Sequence, residues 1–549
     1  MNSRIAAWLL AISLCLCLGL VLAVPIPPLL DYPNHLARLH ILVDAILYGR
    51  ENAFVAVDWS QAWLNTAMDA AGIALGALVG AGGAGTALIC LAVVLPPLGA
   101  AVLNRTLFGG WNWWQVAFPI FAWNGSLVFG LVNFQIGFGL AFLLASLDHA
   151  RRHRLRPIAR FSTRAVASAA LLLVHPFAAA FFAALLAGLA LGRQVPWRGS
   201  MALMARRGVA SALAVLACAL PVLLYLIITP TPPGSSLPPG AEPLLQIDTT
   251  IAQRAFNALA PLAASVWTYD LKVDVLFLLP LWIAAYVVVS RGNGFRAHAG
   301  VLTIAATLAM TAVVLPPYVL GNGATNWRVG AMVGLTLVAG CRPASGARRG
   351  VLGAAAAAMF LLCCARTGWI AAIWLPSQAD VASVRRALDH AAPGSLILPA
   401  EHVADRLAPI GLPWHRVSSG GQELFWHLPV LAVPWASAFV PTLFAAAGKQ
   451  PLRVRPPWDA LAVQEGRPTP MRNLAVLPEV LAPMMDAHPS LYFVRFLRDW
   501  RAQFDYVLVI NADRPDRFGP IPDIPALELV ADEGFAQLWR VIRPPRRGE

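Results

Sequence analysis

Charge is scarce in this chain: Asp, Glu, Lys and Arg together make up 13% of its 549 residues, against about 25% in ordinary soluble domains. So few ionic groups cannot cover a water-facing surface when 58% of the residues are hydrophobic, because that apolar excess is more than a globular core can hide. Cysteine is sparse too, and its placement excludes more than its number. Cys15, Cys17, Cys90, Cys218, Cys341, Cys363 and Cys364 all lie in or beside apolar runs, so no disulfide framework and no paired metal-ligand spacing is present. The sequence lacks a Walker phosphate loop, a G-x-S-x-G elbow and an H-E-x-x-H helix, which leaves ATP-driven and zinc-hydrolytic roles without support. A nucleic-acid partner is not expected either. The net charge of +13 comes mostly from arginines in short loops between apolar blocks, which is how topology signals are distributed.

What is present is a succession of apolar runs, many of them near the length of about 20 residues that a helix needs to cross a bilayer. The first is Ile5 to Pro25, and others fall near 70–103, 115–131, 133–148, 164–175, 177–192, 208–229, 272–290, 298–319, 327–340 and 350–374. The reading is a polytopic α-helical membrane protein with about eleven transmembrane helices. The first run ends in Val21-Leu22-Ala23, a sequence signal peptidase could cut, but its weakly basic start at Arg4 favours retention as helix one. The stretches 115–148 and 164–192 are each long for one span and short for two, so they read as hairpins with shortened or re-entrant turns.

The basic loops fix the orientation. Arg151, Arg152, Arg154, Arg156 and Arg160 form one cluster, Arg193, Arg198, Arg206 and Arg207 a second, Arg291 and Arg296 a third, and Arg342, Arg348 and Arg349 a fourth. With about eleven spans, all four face the cytoplasm together with the amino terminus. The segments 26–69, 230–271 and 320–326 and everything after 375 then face outward. Thr229-Pro230-Thr231-Pro232-Pro233-Gly234 cannot continue a helix, so it opens an outer loop. The membrane domain is assigned to 1–377 and a soluble, extracytoplasmic mixed α/β domain to 378–549. In the latter, Ala379 to Ala391 reads as a helix, and Ser395 to Pro399, Asp505 to Ile510 and Ala536 to Ile542 read as strands. Phe425 to Ala447 is apolar but interrupted by Pro429, Pro434 and Pro441, and is read as surface-associated.

The richest local chemistry lies just outside helix one, in Pro27-Pro28-Leu29-Leu30-Asp31-Tyr32-Pro33-Asn34-His35-Leu36-Ala37-Arg38. Pro33 suits the first turn of a helix, which brings Asn34, His35 and Arg38 within about one turn of each other. The alternative is a capping aspartate with interfacial anchors. Further polar residues interrupt apolar runs on the same outer side: Asn124, Asn133 and Gln135, then His175 before Pro176, then Asn326 and Arg328. Polar groups at membrane depth are costly and tend to face a cavity, so they are candidate site residues. For Asn124, interhelical hydrogen bonding is the favoured reading.

This layout, together with Pro28 to Arg38, resembles the GT-C class of membrane glycosyltransferases; Asn124 to Gly139 (NGSLVFGLVNFQIGFG) is similar to a stretch in uncharacterised bacterial members. The resemblance implies an enzyme of the bacterial inner membrane. It implies transfer of a sugar from a polyprenyl-phosphate carrier to an extracytoplasmic glycan, lipid or protein acceptor. It places the family's first-loop acid on Asp31, as general base. It assigns the donor phosphate to Arg328, with Asn34, His35, Arg38, His175 and Asn326 as further donor or substrate contacts. Many members carry two adjacent acids in this loop; here Tyr32 follows Asp31, so no cofactor and no metal site is expected. The rival readings are a transporter or lipid flippase and a non-catalytic envelope-assembly protein. Transporters often show two similar halves, and none are visible here.

The topology carries its own test. An alkaline phosphatase fused after residue 380 should be active in a bacterial host, and an inactive fusion would reverse the assigned orientation.

Overall fold

A backbone without water must satisfy its polar groups internally, and over a long apolar run the helix does so within the segment. The computed structural model is accordingly dominated by helices and describes residues 3–192, 200–229, 251–290, 294–319, 322–344, 349–403, 412–463, 466–476 and 478–543. The helices are α1 (Ser3–Ala23), α2 (Tyr32–Tyr48), α3 (Thr66–Phe108), α4 (Gly125–Val128), α5 (Val132–Arg151), α6 (Pro157–Val174) and α7 (Pro176–Leu191). They continue as α8 (Met201–Ile228), α9 (Ile251–Leu259), α10 (Leu271–Ser290), α11 (Ala299–Val314), α12 (Thr325–Ala339) and α13 (Arg349–Leu388), with shorter turns beyond. Among the described residues, five helices are long and apolar enough to cross a membrane: α1, α3, α6, α8 and Gly350–Leu388 of α13. Helices α7 and α11 are apolar but shorter.

Three sequence expectations require correction. The run 115–131 is no span-length helix: Trp113–Ala122 is a 3-10 segment, followed by the four-residue α4. Every residue of that segment is buried, which is how irregular backbone is tolerated in apolar surroundings. The helix expected at 379–391 is the end of α13, which runs on through Pro376. The stretch 425–447 is interior rather than surface, with Leu428, Val430, Leu431, Ala432 and Ala445 fully buried. Pro429 starts a 3-10 turn and Pro434 lies inside a five-residue helix, so the chain stays irregular while buried. The residues Arg193, Arg198, Arg291 and Arg348, the loop 230–250 and with it Asp248 lie outside the described residues.

Small residues let α3 and α5 approach at backbone distance. A methyl group on Gly139 would collide with the Leu95 backbone, and one on Gly99 with the Gly139 carbonyl. After α13 the chain forms a five-stranded sheet. In chain order the strands are β1 (Val55–Val57), β2 (Phe295–Ala297), β3 (Cys341–Pro343), β4 (Ile397–Glu401), β5 (Leu452–Val454), β6 (Thr469–Pro470), β7 (Tyr506–Ile510), β8 (Leu527–Asp532) and β9 (Ala536–Val541). The sheet has the order β6-β4-β7-β9-β8, parallel across β6-β4-β7 and antiparallel elsewhere. Strands β4 and β7 are buried along their whole length, which matches the apolar sequence of β7 and of β4 up to its last residue, the buried Glu401. Ser383 near the end of α13 bonds this sheet, accepting from Ala536 N at 2.9 Å and donating to Glu533 O at 2.6 Å. Strand β1, between α2 and α3, pairs with β5, so the late chain is anchored beside α2.

The interior is tied together by an ion pair. Arg366 of α13 donates to Asp274 Oδ1 of α10 at 3.0 Å, and both side chains are 0% exposed. Its remaining donors reach the carbonyls of Ile120 (3.0 Å), Trp123 (3.0 Å) and Val266 (2.6 Å). Asp274 also accepts from Thr268 N at 2.5 Å and Thr268 Oγ1 at 2.7 Å. A guanidinium with this many partners offsets its desolvation, and removing either member of such a pair costs about 3–5 kcal/mol. Asp274→Asn and Arg366→Met should therefore each lower the thermal unfolding midpoint of the purified protein strongly. Arg366→Lys, which cannot fork to four acceptors, should rescue little; near-parental melting of these variants would refute the bracing role.

Candidate functional site

Pro33 sets the start of α2 and Asp31 stands at its N-cap position, yet the Asp31 carboxylate makes no capping hydrogen bond. It faces His427 instead, with Nε2 at 3.6 Å from Asp31 Oδ1. The backbone beneath Asp31 is fixed: Leu30 N donates to Val128 O (3.0 Å) and Asp31 N to Phe129 O (3.2 Å). Gly130 makes this approach possible. It has φ +74°, and a methyl group there would press on the Asp31 amide.

One cavity, of about 520 Å³ including its open mouth, is lined by Asp31, His35, Arg38, Asn65, Asn133, His175, Asn322, Arg328, Phe444, Lys449 and Gln450, with Leu131, Val132 and Phe134. Five of the seven residues singled out in the sequence thus meet: Asp31, His35, Arg38, His175 and Arg328. Arg38 binds Asp69 behind the cavity, Nε to Oδ1 at 2.9 Å, with both side chains buried. Arg328, in the first turn of α12, donates to the Gly323 carbonyl and lies 5.8 Å from the Phe177 ring centre. His175 Nδ1 accepts from Phe177 N at 3.2 Å to cap α7, which in the neutral ring leaves the proton on Nε2.

The two other residues behave differently. Asn34 is fully buried and holds the late chain, accepting from Phe444 N at 2.8 Å and donating to Thr442 O at 3.5 Å. Asn34 therefore positions Phe444 and does not line the cavity. Asn326 lies in a second, larger cavity. Residues two apart on a helix point to nearly opposite sides, so Asn326 and Arg328 cannot share one pocket. Of the other polar candidates, Asn133 lines the first cavity and donates to Asn65 O at 3.1 Å. Asn124 caps α4 through Leu127 N and accepts from Gln135 at 2.5 Å.

Sequence reasoning missed His427, Phe444 and Lys449. His427 and Phe444 belong to the late segment read as surface and Lys449 follows it closely; the signal available for His427 was a polar residue inside an apolar run. Phe444 packs edge-on against His427 at 4.9 Å and against His35 at 6.3 Å. Burial depresses His427 to a pKa of about 3. Burial, then the Arg38 charge, holds His35 well below the ordinary imidazole range. Both rings are therefore neutral at pH 7, and the Nδ1 atom of each is buried without a hydrogen-bond partner. The ionic groups of the cavity are Asp31 on one side and Arg38, Arg328 and Lys449 on the other. Such a site can hold an anion by charge-assisted hydrogen bonds beside a carboxylate able to accept a proton. Among the described residues, no group of three or more His, Cys, Asp or Glu is placed to hold a metal ion.

Comparison with models of known protein families, with curated proteins and with solved structures finds no match.

The buried imidazoles give a pH dependence with a definite sign. Below the ordinary histidine pKa of 6.5 the unfolded chain binds a proton that folded His427 refuses until about pH 3. Stability is full above that window and is lost as pH falls through it, by up to about 1.4 kcal/mol per pH unit for each such group. The unfolding midpoint should drop between pH 7 and pH 5, with a shallower slope in His427→Gln; equal slopes would show that His427 is not buried neutral.

Proposed function

We propose that the protein is a membrane glycosyltransferase of the GT-C kind, moving a sugar from a polyprenyl-phosphate carrier to an acceptor outside the cytoplasm. The observation that carries this reading is the sharing of one cavity by Asp31, Arg38, Arg328 and Lys449. The acceptor hydroxyl oxygen attacks the anomeric carbon while the bond from that carbon to the phosphate oxygen breaks. The hydroxyl proton passes to Asp31, and the bonding pair leaves with the polyprenyl phosphate. Charge builds on the departing phosphate, where Arg328 and Lys449 stabilise it. Arg38, already paired with Asp69, contributes a fixed field at the back of the cavity. The neutral imidazole of His427 can orient Asp31 without taking its proton, and His175 Nε2–H supplies a further donor. The partnerless Nδ1 atom of His35, a residue lining the cavity, is a group that a bound ligand can satisfy.

The same proposal includes about eleven crossings, that of 115–131 made by the buried 3-10 segment and α4 instead of a regular helix, an inner-membrane location with the amino terminus in the cytoplasm, and 378–549 as an extracytoplasmic domain. Support comes from the arginine clusters, which all fall on one side under this count. The five long apolar helices agree with a multi-pass protein. The tie of β1 to β5 suits a late domain on the same side as the first outer loop.

Asp31→Asn tests the chemistry. At matched protein levels it should accumulate the polyprenyl-phosphate sugar and lower transfer to the envelope glycan by at least about a hundredfold, the usual contribution of a general base. Arg328→Gln should lower transfer as well. An unchanged lipid-linked sugar pool and glycan profile in both would overturn the reading in favour of transport or scaffolding.

A further inference from the structure

The second cavity has about 1450 Å³ of space, open mouth included, and different chemistry from the first. Its aromatic wall is built of rings set nearly at right angles. Trp267 and Trp327 meet at 4.9 Å and 80°, Phe129 and Trp327 at 5.6 Å and 90°, and Phe256 and Trp267 at 6.1 Å and 61°. Beside the rings stand the amides of Asn326 and Gln422. Asn326 uses its Oδ1 on Trp327 N at 3.0 Å, which leaves its NH₂ as a donor. Gln422 uses its NH₂ on Glu423 O at 2.9 Å, which leaves its carbonyl as an acceptor.

The two cavities share a thin partition. Phe129 lines the second, while its carbonyl holds the Asp31 amide of the first at 3.2 Å. Trp327 lines the second, and its neighbour Arg328 lines the first. A ligand in the second cavity is therefore carried by the same short segments that carry the base and the phosphate-binding cation.

We infer that the second cavity is the acceptor site and that its ligand is a glycan; this rests on the transferase reading above. A pyranose ring offers apolar C–H faces, which pack on aromatic rings, and a rim of hydroxyls that both donate and accept. Ring corners with one spare amide donor and one spare amide acceptor match that pattern. An alkyl or isoprenoid chain would pack on the rings but leave both amides desolvated and unpaired, which is costly.

The test uses the full chain in nanodiscs and saturation-transfer NMR, with two kinds of probe: farnesyl phosphate, and a set of soluble disaccharides (maltose, cellobiose, lactose, mannobiose and chitobiose). At least one disaccharide should receive saturation on its ring C–H protons in the parent protein. Its binding should weaken roughly three- to tenfold in Gln422→Ala, the scale of one neutral hydrogen bond. Phe256→Ala, at a half-exposed ring, should weaken it as well. Farnesyl phosphate binding should be unchanged in these two variants, which also verifies that they fold, and should weaken in Lys449→Gln. If no disaccharide binds while farnesyl phosphate does, the glycan assignment is wrong and the transferase reading stands. If farnesyl phosphate binding falls in Phe256→Ala and Gln422→Ala, the cavity holds the lipid chain and the assignment is again overturned. If disaccharides bind as expected but farnesyl phosphate does not, the glycan site stands and the donor reading fails.

Discussion

A guanidinium sealed from water must find all its partners within the protein, and Arg366 finds four. That requirement orders the centre of the molecule. By holding the carbonyls of Ile120 and Trp123 it fixes the end of a 3-10 segment that has no regular helix to stabilise it. Asn124 then caps the short α4, and the chain emerges at Phe129, whose carbonyl receives the Asp31 amide. The same guanidinium holds Val266 O, one residue before Trp267 of the second cavity. Both cavities are thus referenced to one buried charge on α13, and that charge has its counter-ion on α10. Replacing such a pair with apolar residues can be neutral for stability in other proteins. Here three carbonyls would lose their donor at the same time, so the irregular segment depends on the charge itself.

Much of this was legible in the sequence, and the reasons differ by element. Helices α1, α5, α6, α7 and α10 follow apolar runs bounded by proline or charge, and His175 falls at the expected turn between α6 and α7. Strands β7 and β9 read directly from alternating and continuous apolar patterns. The run 115–131 misled because hydropathy measures burial in an apolar medium and is blind to backbone conformation. A fully buried 3-10 segment and a transmembrane helix have the same composition. The stretch 425–447 misled for the complementary reason: its prolines correctly forbid a span, but interior chain can be irregular wherever side chains and carbonyls find partners.

The candidate site divides along the same line. Residues near the mouth of one helix, Asp31, His35 and Arg38, were visible because they are close in sequence. His175 and Arg328 were visible because each is polar in an apolar run. Their convergence was a matter of topology, and the late residues His427, Phe444 and Lys449 joined them through contacts spanning some four hundred positions. Asn34 shows how a site motif can serve assembly: its amide is spent entirely on bringing the 442–444 backbone to α2. Asn326 shows the reverse, a residue suspected for one cavity that lines the other, on the opposite side of its helix.

Burial of His35, which lines the first cavity, and of His427, which faces Asp31, bears on the charge balance of the site. Arg38, Arg328 and Lys449 already bring positive charge to the cavity beside Asp31. Two protonated imidazoles would add like charges at short range in a poorly solvated space. Burial keeps His35 and His427 neutral, so they contribute hydrogen-bonding atoms without altering the field. A neutral imidazole 3.6 Å from Asp31 carries no charge to depress the proton affinity of the carboxylate, as an imidazolium partner would. The carboxylate keeps its basicity, the cations keep their net attraction for an anion, and the two functions coexist within one cavity.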